Sequence, residues 1–448
     1  METVQLTPVV SFESDALPET GWHSPPRYYT WTIGCQMNKA DTERLESALA
    51  QLGFVAARGP ADADVIVLNS CVVRQSAEDK VVGAITSFKP LKTRRPERVI
   101  ALMGCMVGPR TQQLEKQFPF VDAFMRPQQY GPLLDLVGER LGIDWEGCLG
   151  PLVPLAPHVT AYVPIIHGCD EMCSFCIIPY RRGREVSGPI LELTREVELL
   201  VHRGVQEVTL LGQTVDAYGN DLPDKPDLAD LLYAIHDLEG LQRIRFLTSH
   251  PRYMSERIIR AVADLPKVCE HINLPFQAGD DDVLRRMRRT YTRDDYRRLI
   301  STIHSLVPGV SLSTDVIVGF CGETEDQFQR SVDLLEEVRF DKVHIAAYSP
   351  RPGTIAWRAM PDDVPPEEKE RRKKHLEEVQ ERIATEINVG YVGRQVEVLV
   401  DGREKGRWKG RTRTDKLMFF DSEEDLLGRL IGVKVEKSSP WALQGSII

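Results

Sequence analysis

The chain is predicted to be α/β, with an N-terminal parallel-sheet α/β domain, a central partial (β/α)6 barrel and a small C-terminal β-barrel. Three observations predict this. Strand-sized apolar runs alternate with helix-length segments over most of the 448 residues, and such alternation builds parallel sheets. Cys35, Cys71 and Cys105 recur at separations of 36 and 34 residues, the length of one strand–helix repeat. From Gly390 onward, short β-rich stretches alternate with glycine turns, as in small all-β domains.

Residues 1–26 are polar and proline-containing, without periodicity, and read as a disordered extension. The N-terminal domain spans 27–149, with strands over 28–33, 65–68 and 99–103 and helices over 40–52 and around 78–88. Cys35, Cys71 and Cys105 each fall just past the carboxyl end of one of these strands. In an open parallel sheet those ends share one edge, where ligands bind. Taken singly, each cysteine reads as a small buried core residue; their common position favours a metal site.

A linker-like stretch over 150–157 precedes the barrel region, 155–387. Strands are expected over 162–166, 208–211, 244–248, 271–274, 312–318 and 343–347, and barrels of this kind carry their chemistry at the strands' carboxyl ends. A charged helix over 365–387 carries Leu376, Val379, Ile383 and Ile387 at helical spacing and should pack on the barrel's outside. Residues 388–448 form the small β-barrel, of the OB or five-stranded kind.

The formal net charge of −10 argues against indiscriminate nucleic-acid coating, because bulk acidity repels phosphate. Locally the sign reverses: Arg181-Arg182-Gly183-Arg184, Arg285-Arg286-Met287-Arg288-Arg289, and a run from Arg403 to Lys416 with seven basic residues against two acidic ones. Each run alone could be a solvated face; three together raise the nucleic-acid reading. The apolar runs are strand-sized and the start lacks a signal-peptide core, so a cytoplasmic location without a membrane span is expected. Nine cysteines, an odd number, suit thiolate ligands or free thiols rather than a disulfide framework.

Cys169, Cys173 and Cys176 are spaced C-x3-C-x2-C. That spacing wraps three thiolates around a cubic iron–sulfur cluster and leaves the fourth iron open. A zinc knuckle lacking its fourth ligand, or a group of buried thiols, is the alternative.

This loop continues as Cys176-Ile177-Ile178-Pro179-Tyr180-Arg181-Arg182-Gly183-Arg184-Glu185. Together with Gly34-Cys35-Gln36-Met37-Asn38, Leu68-Asn69-Ser70-Cys71, Gly104-Cys105, Leu211-Gly212-Gln213, Thr248-Ser249-His250-Pro251, Leu274-Pro275-Phe276-Gln277, Tyr291-Thr292-Arg293 and the run from Thr314 to Phe320, it resembles the radical-SAM methylthiotransferase family over residues 27–448. Cys35-Gln36-Met37-Asn38 and Pro179-Tyr180 resemble its MiaB branch, the tRNA 2-methylthio-N6-isopentenyladenosine synthases. Two departures occur: Cys321 follows Gly319-Phe320 where Pro is usual, and Gln277-Ala278-Gly279-Asp280 replaces Gln-Ser-Gly-Ser. Neither removes a cysteine of the two sets, though Cys321 near the active-site edge is expected to be a reactive thiol.

The resemblance implies two [4Fe–4S] clusters, one on Cys169, Cys173 and Cys176 and one on Cys35, Cys71 and Cys105, with two molecules of S-adenosylmethionine used per turnover. Phe175, Ile178, Gln213, Ser249, Gln277 and Asp315 are candidates to bind the cofactor, each with a structural role as the alternative, and neither His167 nor His250 is assigned a catalytic role. The C-terminal barrel would be a TRAM domain. Its Arg407, Trp408, Lys409, Arg411 and Arg413 interleave positive charge with an aromatic, a combination that binds phosphate and stacks bases, or else guards an edge strand against aggregation.

The implied partners are tRNA with isopentenyladenosine at position 37 and an electron donor such as flavodoxin or ferredoxin, and the implied state is a monomer. Threonylcarbamoyladenosine tRNA and an aspartate of ribosomal protein S12 are alternative substrates. An RNA-binding iron–sulfur electron carrier or sensor is the alternative of another class.

Overall fold

The computed structural model describes residues 20–72, 75–154 and 157–448. The expected extension over 1–19 and the linker residues 155 and 156 lie outside the described residues. The chain forms two compact units. One runs to Pro157 and takes in His167–Asp170 and Ile177–Glu185; the other holds His158–Ile166, Glu171–Cys176 and everything from Val186 on.

In the first unit, strands β1 (Arg27–Thr32), β2 (Val55–Ala56), β3 (Val65–Ser70), β4 (Val99–Gly104) and β5 (Ala123–Met125) alternate with helices α1 (Gln36–Gln51), α2 (Gln75–Arg94), α3 (Gln112–Gln117) and α4 (Gly131–Leu141). The sheet is parallel, in the order β2-β1-β3-β4-β5. The chain therefore reverses its direction of growth between β1 and β3, the point where open α/β sheets bind ligands. Both faces are covered. Val65, Val67, Val99 and Ala101 pack with Leu45, Leu49, Leu133 and Val137, whereas Ile66, Leu68, Ile100 and Leu102 pack with Val81, Ile85 and Phe118. That double burial explains the unbroken apolar runs.

Residues 20–26, which the sequence places in the extension, belong to this packing. Trp22 sits edge-on to Phe54 with centroids 5.7 Å apart, and its Nε1 donates to the Glu97 carbonyl. His23 Nδ1 lies 2.9 Å from the buried Asp64 carboxylate.

The second unit holds β6 (Thr160–Pro164), β9 (Glu207–Leu211), β10 (Arg243–Leu247), β11 (His271–Asn273), β12 (Ser311–Val318) and β13 (Lys342–Ala347); the two-residue strands β7 (Ile166–His167), whose His167 falls in the first unit, and β8 (Val186–Ser187) bracket the cysteine loop in sequence. The six long strands run parallel in two ladders, β6-β9-β10 and β11-β12-β13. Bonds such as Cys269 N–H to the Ile244 carbonyl carry the arc from β10 to β11. These are the six strands expected of a partial (β/α)6 barrel.

Helices α5 (Ile178–Arg182), α6 (Ile190–His202), α7 (Leu228–His236), α8 (Glu256–Asp264), α9 (Asp281–Arg286), α10 (Arg293–Leu306), α11 (Glu325–Val338), α12 (Ile355–Ala359) and α13 (Pro366–Val389) follow in order, and α5 lies in the first unit. Helix α13 buries Leu376, Val379 and Ile383 and contacts β13 and α11, as its periodicity requires.

Strands β14 (Gln395–Glu404), β15 (Arg407–Thr412), β16 (Leu417–Phe420), β17 (Leu430–Ser438) and β18 (Leu443–Ile447) close into a five-stranded barrel. Lys405 and Gly406 join β14 to β15 with φ of 51° and 84°, the paired positive φ that suits a tight hairpin.

Candidate functional site

Cys35 forms the N-cap of α1 and is exposed, while Cys71 and Cys105 are buried just beyond β3 and β4. Backbone geometry brings them close. A Cβ on Gly34, whose φ is +141°, would lie 2.9 Å from the Cys71 Cβ, and one on Gly104, at φ +101°, would lie 2.3 Å from Asn69 Oδ1. Glycine is thus required at both positions. Asn38 and Asn69 lock the strand ends: Asn38 Nδ2 donates to the Ser70 carbonyl at 2.8 Å, and Asn69 Nδ2 to the Asn38 carbonyl at 2.7 Å. Cys35 Sγ donates to Asn38 Oδ1 at 3.4 Å.

Burial pushes the Cys105 thiol up to about 11; Arg182 acts against that, while Cys35 and Cys71 push the same way. The three sulfurs therefore feel one another. Arg182 reaches them from α5, paired through Nη2 with the buried Asp41 at 2.9 Å. Gln128 Nε2 donates to the other Asp41 oxygen at 3.2 Å and also meets His167 Nδ1. Burial, then Arg44 and Arg182, lower His167 to about 3, so it stays neutral.

Among the described residues, no three His, Cys, Asp or Glu side chains close on a point as the ligands of one metal ion would. A cubic cluster instead gives each thiolate its own iron, so its ligands stand further apart. Three neighbouring thiols beside a buried guanidinium fit such an anionic group.

Of the second set, Cys169 falls in the first unit and Cys173 and Cys176 in the second. Cys169 N–H donates to the Gly183 carbonyl at 3.1 Å, and Asp170 N–H to Glu185 Oε1 at 3.0 Å. Within the second unit, Ser174 laces three segments together. Its N–H donates to the Met287 carbonyl, its Oγ to the Arg286 carbonyl, and its own carbonyl accepts from Ala356 N–H. Arg289 Nη1 donates to Cys173 Sγ at 3.4 Å, and its other nitrogens reach Tyr291 Oη and the Pro275 carbonyl. The basic run Arg285 to Arg289 is thus partly built into the site rather than solvated.

At the barrel's strand ends, Thr248 and Gln277 adopt left-handed backbone, with φ of 69° and 64°. Such strain clusters at functional sites. Asn273 steadies it, accepting Thr248 N–H on Oδ1 and Ser249 N–H on its carbonyl. Ser249 Oγ, Gln277 Oε1 and His250 Nε2 are buried without a hydrogen-bond partner, which fits a polar ligand at this end. His250 Nδ1 accepts from Arg252 N–H, and burial, helped by Arg289 and Arg252, lowers this histidine to about 2.

Other candidates fall differently. Gln213 is half-buried beyond β9. Phe175 stands edge-on to Phe320, with centroids 6.5 Å apart. Asp315 lies in the middle of β12, opposite His344, not at the strand's end. Ile178 is partly buried and packs against the core of the first unit. Cys321 is buried and its thiol is raised, chiefly by burial, so the expected reactive thiolate is not favoured.

On β15, Arg407, Lys409 and Arg411 share the outward face, partnered by Asp421, Glu404 and Asp415 at 3.1, 3.4 and 3.1 Å. The expected base-stacking role of Trp408 is overturned. Its ring is 5% exposed within the barrel core, its Nε1 donates to the Ser422 and Glu424 carbonyls, and Arg403 covers it at 4.0 Å. Arg413 is likewise engaged, donating to Glu270 and to the Pro266 and Val268 carbonyls. Sequence reasoning missed Arg243 and Arg245, which reach from β10 to the carbonyls of Arg411, Glu397, Arg413 and Thr412. Two arginines at alternate positions of an apolar strand were the available signal.

Residues 163–335 match the radical SAM superfamily, 27–126 the uncharacterized protein family UPF0004, and 390–448 the TRAM domain. The fold resembles the radical S-adenosylmethionine methyltransferase TsrM from Kitasatospora setae, with a TM-score of 0.55 at 14% identity over 74% of this chain and 77% of that one. These matches define a radical SAM protein with a C-terminal TRAM domain, and the superfamily implies S-adenosylmethionine and a [4Fe–4S] cluster as cofactors.

The chain is 49% identical over 430 residues to tRNA-2-methylthio-N(6)-dimethylallyladenosine synthase of Herpetosiphon aurantiacus, covering 94% of this chain and 97% of that protein. It is 50% identical over 427 residues to the protein of that name in Roseiflexus sp., covering 94% and 89%. The chain belongs to the tRNA-2-methylthio-N(6)-dimethylallyladenosine synthase family.

Proposed function

We propose that this chain adds a methylthio group to carbon 2 of N6-isopentenyladenosine, also called N6-dimethylallyladenosine, at position 37 of tRNA. It is a radical SAM tRNA methylthiotransferase. The observation that carries the reading is the union in one chain of a strand-end cysteine set, the C-x3-C-x2-C loop and a terminal barrel with three outward basic side chains. The relatives' named activity on dimethylallyladenosine favours this substrate over threonylcarbamoyladenosine or a ribosomal protein.

Carbon 2 of adenine carries a hydrogen without useful acidity, so a positioned base cannot open it. A reduced cluster with S-adenosylmethionine supplies one-electron chemistry when bound, and the protein positions it. Cys169, Cys173 and Cys176 hold one [4Fe–4S] cluster with an open iron, and Cys35, Cys71 and Cys105 hold the second, making two clusters and two cofactor molecules per turnover. Ser249 Oγ and Gln277 Oε1, with Gln213 and Asp315, would bind the cofactor's polar groups, and Phe175 would pack on its adenine. Arg407, Lys409 and Arg411 hold tRNA phosphates.

The protein acts as a cytoplasmic monomer and takes electrons from a flavodoxin or ferredoxin. Among the described residues, no helix is long and apolar enough to cross a membrane. The test is mass spectrometry of tRNA nucleosides after anaerobic reaction with reductant and S-adenosylmethionine. A 2-methylthio product is expected from prenylated tRNA. Its absence, with cofactor cleavage intact, overturns the substrate assignment.

A further inference from the structure

Arg182, the last residue of α5, carries a buried cation to the three-cysteine set. Its side chain is 2% exposed and that of its partner Asp41 is 1% exposed. Of its three nitrogens only Nη2 has oxygen partners, Asp41 Oδ2 at 2.9 Å and Asn38 Oδ1 at 3.2 Å. Nε and Nη1 are buried with no oxygen or nitrogen acceptor. The guanidinium nevertheless lies within electrostatic reach of Cys105 and Cys35.

Arg257, by contrast, spends its fork on the carboxylates of Asp227 and Asp230. Arg182 has oxygen partners on Nη2 alone, and its side chain also bonds the Cys105 thiol. A buried donor without an oxygen or nitrogen acceptor is costly to keep. Two such donors near Cys105 and Cys35 point to an anionic acceptor with sulfur atoms. A cluster held by Cys35, Cys71 and Cys105 is that acceptor, and hydrogen bonds to its sulfurs, like nearby charge, set its potential.

We propose that Arg182, oriented by Asp41 and Asn38, is a positioning residue whose fixed positive charge raises the reduction potential of the cluster on Cys35, Cys71 and Cys105. This rests on the reading that those cysteines hold a cluster. A nearby cation stabilises the reduced form, which carries one more negative charge, and so raises the potential.

The test uses the full chain with Cys169, Cys173 and Cys176 all changed to Ala, reconstituted anaerobically with iron and sulfide and followed by redox titration with electron paramagnetic resonance. A parent that takes up no iron overturns the cluster reading itself, before Arg182 is touched. With the cluster present, Arg182→Gln is expected to shift the midpoint to more negative potential, and Arg182→Lys to stay near the parent. An unchanged midpoint in Arg182→Gln overturns the proposal. Where Arg182→Gln holds no iron, Arg182→Lys decides: iron retained at a near-parent midpoint supports a role for the charge, and iron lost overturns it.

Discussion

Arg289 and Cys173, 116 residues apart in sequence, are joined by a 3.4 Å hydrogen bond from Nη1 to Sγ. The same guanidinium donates to Tyr291 Oη and to the Pro275 carbonyl. Replacing Arg289 with Met should leave these groups short of partners and destabilise the cluster-free protein by about 1–3 kcal/mol. Urea unfolding of parent and variant measures this; equal midpoints and slopes would contradict it.

The two cysteine sets should separate by function. Changing Cys169, Cys173 and Cys176 together to Ala should remove about half the bound iron and all reductive cleavage of S-adenosylmethionine. Cys71→Ser should keep cleavage and lose methylthiolation. Cys321→Ser, at a buried position outside both sets, should keep iron and product alike. Cleavage surviving in the triple variant would remove the radical assignment.

Substrate choice should follow the prenyl group. A pocket shaped for it loses apolar burial when the group is missing, at about 0.8 kcal/mol per methylene equivalent. Transcripts carrying unmodified adenosine at position 37 should therefore turn over poorly beside prenylated tRNA in the same assay. Equal rates would count against the pocket.

The terminal barrel offers a contrast among its basic residues. Arg407, Lys409 and Arg411 changed to Ala should weaken tRNA binding and flatten its salt dependence, because fewer counterions are released. Arg413→Ala, which frees Glu270 and two carbonyls, should lower stability instead. Trp408→Ala, in the barrel core, should cost about 3–5 kcal/mol. Binding titrations over a salt series and thermal unfolding distinguish the three outcomes.

Acid should destabilise the fold through its buried neutral histidines. His250 is lowered to about 2 and His271 to about 4, chiefly by burial in both cases. Below the unfolded value near 6.5, the unfolded chain takes up protons that the folded one refuses, so stability falls with pH. Each histidine should contribute a loss of about 1.4 kcal/mol per pH unit between about 6 and its folded value. Unfolding at pH 7 and 5.5 should show this loss, and His250→Gln with His271→Gln should shrink it. An unaltered pH slope in the double variant would refute the account.

Strands β3 and β4 were legible because doubly covered parallel strands carry near-continuous apolar runs, and both cysteine sets because spacing and register are properties of sequence. Strand β2, of two residues, and β5, of three, carry too little pattern to read, yet β2 on the far side of β1 is what places the sheet's reversal beside Cys35 and Cys71. The pairs Arg182–Asp41 and Arg289–Cys173 were not legible, since nothing local marks a long-range partner. Trp408 was misassigned although the alternation of Arg407, Lys409 and Arg411 with Trp408, Gly410 and Thr412 already put the indole on the inward face.

Apart from the Glu397 carboxylate that Arg243 also meets, Arg243 and Arg245 hold the terminal barrel by main-chain oxygens of residues 397, 411, 412 and 413. A carbonyl is the one acceptor that no substitution removes. The joint therefore places little demand on which side chains β15 displays outward, so that face can change while the terminal barrel stays fastened.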